Sequence, residues 1–142
     1  MGWLCVLKTD RTRGESETNS QAEAGQKLGE CEVKRIYITG PMTGLPELNR
    51  AEFRKAVDFI WKALKETAIG FNPHQVADML GWTEETPPSE IASMLLGDLI
   101  DSDAIYMLRG WENSKGARAE HGVAVWIGLE IIYQGVAKCQ IQ

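Results

Sequence analysis

The chain has 142 residues, room for one domain with a full core and rarely for two. Apolar residues make up 44% and charged residues 25%, the usage of a globular protein rather than of a disordered one. A formal charge of −5 disfavours non-specific attraction to nucleic acid or to an anionic membrane, and no run approaches the roughly 18 apolar residues of a membrane span.

The start of the chain lacks both the basic flank and the full apolar run of a secretory signal. Cys5, Cys31 and Cys139 are few, far apart and odd in number, as expected for reduced thiols in a cytoplasmic protein. Residues 8–32 are polar and aperiodic, too poor in apolar surface to offset their ordering entropy. Residues 1–32 are therefore expected to be a flexible extension, with Trp3, Leu4, Val6 and Leu7 as an alternative docking strand. The domain proper is expected over residues 33–142.

Its first element is a strand at Ile36-Tyr37-Ile38, closed by Gly40-Pro41. A helix follows, with Asn49 and Glu52 spaced as a capping box and Phe53, Val57, Ile60, Trp61 and Leu64 at helical intervals. Ile69-Gly70-Phe71-Asn72-Pro73 reads as a second strand stopped by proline. Residues 74–88 read as loop or irregular helix. A helix from about Ser89 carries Ile91, Met94, Leu95 and Leu99 on one side. Ala104 to Leu108 is a third strand broken by Gly110, Ser114 to Gly128 a third clear helix, and Ile131-Ile132-Tyr133 a fourth strand. This alternation predicts one doubly wound α/β domain, Rossmann-like or flavodoxin-like, with a parallel sheet of about four to five strands. In such sheets ligands bind beyond the carboxyl ends of the strands, where strand order reverses. The loops after strands one, two and three are thus the candidate site.

Two carboxylates stand on unexpected helix faces. At about 100° per residue, Glu120 falls between Val123 and Ile127 on one side and Ala124 and Ala117 on the other. Asp98 falls in the stripe of Ile91, Met94 and Leu95. A carboxylate on an apolar face needs a partner or a pocket. Two of them at one pocket mouth suit chemistry at a sugar C1. The alternative is an ion pair of Glu120 with Arg109, Arg118 or His121, with Asp98 merely ending its helix.

Tyr37 can donate to a carboxylate or simply fill the core. Gly40-Pro41-Met42-Thr43-Gly44 is a tight loop whose amides can face a substrate; it matches neither a dinucleotide nor a triphosphate motif, and no cofactor is expected. Asn72 opens the loop after strand two. Ser114 is a helix N-cap, and with Gly116 and the helix dipole it also suits a phosphate. Trp111 can stack on a base or close as a lid. His74 and His121 have no matching third ligand, so no metal is expected. Val125 and Leu129 form a second apolar face, as for packing against another element or subunit.

Residues 35 to about 134 resemble the nucleoside 2-deoxyribosyltransferase-like superfamily, and most closely its small phage and bacterial branch of unknown function. The matching pieces are Ile36 to Gly44, Phe71-Asn72-Pro73, Asp98-Leu99 with Ser102-Asp103-Ala104-Ile105, and Leu108 to Glu120. The resemblance implies an enzyme of N-glycosidic bonds. In it Glu120 attacks the anomeric carbon, Tyr37 orients Glu120, and Asp98 serves the base or sugar. Gly40, Pro41, Met42, Asn72, Trp111, Ser114 and Gly116 then contact a nucleoside or nucleotide, and a homo-oligomer is expected. Transferases pass the sugar to a second base; hydrolases pass it to water. The transferase pattern has an aspartate six residues before the glutamate, where this chain has Ser114. That serine resembles the one that contacts phosphate in nucleoside 5′-monophosphate N-glycosidases. The expectation is hydrolysis of a nucleotide, with base exchange and non-catalytic nucleotide binding as alternatives.

Overall fold

The computed structural model describes residues 32–65 and 67–136. The three cysteines and the strand expected near Trp3–Leu7 lie outside the described residues, as does nearly all of the expected extension. A compact unit begins at Lys34.

Among the described residues four parallel strands form the sheet: β1 (Lys34–Thr39), β2 (Ala68–Phe71), β3 (Ala104–Met107) and β4 (Glu130–Tyr133), in the order β2-β1-β3-β4. Tyr37 sits in register with Phe71 on one side and Ile105 on the other. The order reverses between β1 and β3, so the switch point lies at their carboxyl ends. The doubly wound α/β architecture expected from the element pattern is the one observed, with four strands.

Side chains of a strand alternate between faces, and β1 uses both. Ile36 and Ile38 point to a core with Phe53, Ala56 and Ile60 of helix α1 (Arg50–Ala63). Tyr37 points the other way, to Leu99 of α3 (Pro88–Ile100) and Ala124 of α4 (Lys115–Ile127). Each face of the sheet thus has its own apolar cluster, and the residues of β1 that face α4 are Arg35, Tyr37 and Thr39.

Several local expectations are revised. Asn49 does not cap α1: its backbone is left-handed, φ 63°, and its side chain donates to the Pro41 carbonyl at 2.9 Å. Glu52 pairs with Lys55 at 2.7 Å instead of completing a capping box. Trp61 and Met94, expected on the sheet-facing stripes, are exposed. Pro73 does not merely stop β2; it begins helix α2 (Pro73–Leu80), a position that needs no N–H, with the Asn72 side chain accepting from the His74 N–H at 3.0 Å.

Arg50 grips the exposed Asp78 with two bonds of 2.7 and 2.8 Å, tying α1 to α2. Water screens such a pair, so Asp78→Asn is expected to leave the urea midpoint almost unmoved, and still less moved in high salt. Gly40 is a different matter. A Cβ added there would lie 2.6 Å from the Leu108 Cβ, because the ends of β1 and β3 approach closely. Gly40→Ala is expected to destabilise by about 1–3 kcal/mol through overpacking, read as a lower urea midpoint at unchanged slope.

Candidate active site

The site grows from the alternation of β1. Tyr37 is fully buried, its ring stacked on Phe71 at 5.3 Å between centroids. From there its hydroxyl donates to Oε1 of Glu120 at 2.6 Å. Thr39, two residues on and therefore on the same face, donates its hydroxyl to Oε2 of the same carboxylate. Helix α4 supplies Glu120 from the far side of the switch point, since it follows β3. Ser114 starts that helix by accepting from the Ala117 N–H at 3.3 Å, and Gly128 ends it in a left-handed conformation. Glu120 is half-buried on the helix face that also carries buried Ala117 and Ala124.

Both oxygens of Glu120 thus have a hydroxyl donor. The charge state follows from competing effects. Burial pushes the Glu120 carboxyl above the ordinary glutamate range, and the bonds from Thr39 and Tyr37 oppose it. Burial pushes the Tyr37 hydroxyl far above the usual tyrosine range, and the charge of Glu120 and the bond to it add to this. Tyr37 is therefore a permanent donor. The carboxylate is a group of tunable charge.

Asp98 lies on α3, next to Leu99, which packs in one cluster with Tyr37. Its Oδ1 pairs with Arg35 at 2.9 Å, and the Arg35 guanidinium lies 4.6 Å from the centroid of the Phe71 ring. The Asp98 charge still reaches the Tyr37 hydroxyl, raising it, while Arg35 lowers it. Arg35, Phe71, Tyr37 and Asp98 thus form one packed group beside Glu120. The alternative ion pairs of Glu120 do not occur: its bonds are to Tyr37 and Thr39, while His121 Nε2 lies 2.9 Å from the Tyr133 hydroxyl.

The remaining candidates surround this centre unequally. Gly40 is buried at the close approach to Leu108. Met42 packs against the core on the α1 side. Pro41 lines a cleft of about 260 Å³ with Leu45, Asn49, Glu52, Leu108, Arg109 and Gln134. Asn72 is buried and spends its side-chain oxygen on the start of α2. Trp111 stacks on His121 at 4.3 Å, so one face of its indole is already covered. Gly116 is exposed in the first turn of α4, near the Ser114 hydroxyl.

Thr39 and Arg35 were not among the sequence candidates. The signal was present: Arg35, Tyr37 and Thr39 are spaced by two, and the apolar Ile36 and Ile38 alternate with them. Among the described residues no group of three or more His, Cys, Asp or Glu side chains could hold a metal ion, and no helix is long and apolar enough to cross a membrane.

A family described as a domain of unknown function, DUF4406, matches residues 34–133, from the first residue of β1 to the last of β4. No curated protein matches the chain.

Proposed function

The chain belongs to the DUF4406 family, and we propose that it cleaves the N-glycosidic bond of a nucleoside 5′-monophosphate or nucleoside, with Glu120 as nucleophile. The observation that carries this reading is the Glu120 carboxylate held by Tyr37 and Thr39 at the carboxyl ends of the strands. A nucleophilic carboxylate must be presented at a fixed angle, near the switch point of the sheet where ligands bind. The resemblance of residues 35–134 to the nucleoside 2-deoxyribosyltransferase-like superfamily supports the same role for Glu120 and Tyr37.

In the first step a Glu120 oxygen bonds to C1′ as the C1′–N bond breaks. The bonding pair leaves with the base, which takes up a proton from solvent. In the second step water attacks C1′, Glu120 departs as carboxylate, and the proton of the water is released to solvent. Tyr37 and Thr39 meet the negative charge that returns to Glu120 in that step. Asp98, set by Arg35, is the neighbouring acceptor for base or sugar. Ser114 and the start of α4 offer donors for a 5′-phosphate, which favours a nucleotide substrate and water as acceptor.

Incubation with a panel of nucleosides and 5′-monophosphates, following free base by chromatography, tests this. Release of base from at least one monophosphate is expected. No release and no binding across the panel sinks the reading. The pH profile is a further check. The nucleophile must be ionised, and burial raises Glu120, so the rate is expected to climb with pH through a limb lying above the ordinary glutamate range.

A further inference from the structure

We infer that Thr39 is a positioning residue for Glu120, a role that rests on the reading of Glu120 as nucleophile. A carboxylate held through one oxygen can still swing about its terminal torsion, which is broad and soft. Tyr37 alone fixes only Oε1. The Thr39 hydroxyl takes Oε2 and so sets the plane of the carboxylate.

Thr39 is built for this. It is 3% exposed and ends β1 immediately before Gly40. Its backbone carbonyl accepts from the Leu108 N–H at 2.9 Å, and it stands in register with Met107, so the strand beneath the hydroxyl is anchored to β3. Helix α4, which brings Glu120, follows the same β3. Ala124 of α4 also packs in one cluster with Ile105 and Met107 of β3, so both partners of the bond are referred to one strand. A β-branched side chain adds stiffness at χ1.

The bond also bears on charge. A hydroxyl donating to a half-buried carboxylate favours its ionised form, opposing the effect of burial. Thr39 thus does two things through Glu120: it fixes the direction of attack, and it keeps the nucleophile ionised at lower pH.

The test compares Thr39→Val, which keeps the shape and drops the hydroxyl, with Thr39→Ser, which keeps the hydroxyl. Thr39→Val is expected to lower kcat roughly tenfold or more, the scale of one hydrogen bond to a charged group, with KM little changed. Its acid limb moves to higher pH, and Thr39→Ser restores both the rate and the limb. An unmoved limb, or loss without rescue in Thr39→Ser, overturns the inference. The ¹³C carboxyl titration of Glu120 reads the same bond without turnover. A midpoint raised in Thr39→Val and restored in Thr39→Ser supports the bond; equal midpoints in all three proteins overturn it. Wild-type protein that releases no base from any substrate overturns the nucleophile reading, and the positioning role with it, even where the titration shows the bond.

Discussion

Glu120→Gln is expected to lower base release by at least about 10³-fold, because an amide cannot form the glycosyl ester that splits the reaction into two easier steps. The same substitution is expected to raise the melting temperature at neutral pH. Burial raises the Glu120 carboxyl, so between the unfolded and folded values the native state binds more protons than the unfolded state. Stability from this group is then greatest below the unfolded value and falls as pH rises through the window. Glutamine does not titrate. The variant should therefore gain over wild type as pH rises to neutral, and the gain should vanish in acid. A thermal melt series from acid to neutral pH reads both ends. A variant that loses activity while losing stability equally at every pH contradicts the account of a costly buried carboxylate.

Tyr37→Phe is expected to lower kcat by about 10²-fold or more, in the range found when a single preorganised donor is removed. Charge returns to Glu120 in the second step, so that step suffers most. The glycosyl-enzyme should then accumulate, seen as a burst of free base on mixing followed by a slow steady rate. The acid limb should also move to higher pH, since the bond from Tyr37 lowers the Glu120 carboxyl. The ring remains stacked on Phe71, so the fold is expected to survive. Rapid mixing with excess substrate that shows no burst, together with single-turnover mixing in which both steps are slowed alike, places the Tyr37 contribution in orientation alone.

Much of this site is legible in the chain because it breaks a rule. Glu120 stands out as a carboxylate in an apolar stripe, and Tyr37 as a polar tip in a core strand. The two meet at 2.6 Å although 83 residues separate them. Thr39 is less visible because β1 reads as a continuous apolar run, Ile36-Tyr37-Ile38, in which alternation is easily passed over. Asp98 shows the limit of helical geometry. Its stripe gives a direction, but the cation that meets it, Arg35, comes from a strand 63 residues earlier. A distant pairing of this kind leaves no periodic trace in sequence.

The elements follow the same logic. Gly40, Gly110 and Gly128 punctuate the chain where backbone must pack closely or turn left-handed, and the strand and helix ends near them are found as expected. Helix α2 is only half legible, as loop or irregular helix, because Asn72-Pro73 serves equally as a strand stop and as an N-cap with proline at the first helical position. The capping box at Asn49 and Glu52 fails for a tertiary reason: Glu47, Leu48 and Asn49 are left-handed, and the Asn49 amide is drawn back to Pro41.

The most direct measurement is the mass of the protein quenched during turnover of a nucleoside 5′-monophosphate, followed by peptide mapping. The account predicts a gain of one phosphorylated sugar, carried on the peptide that contains Glu120 and absent from Glu120→Gln. Base release that persists undiminished in Glu120→Gln, or an adduct carried on another residue, contradicts it.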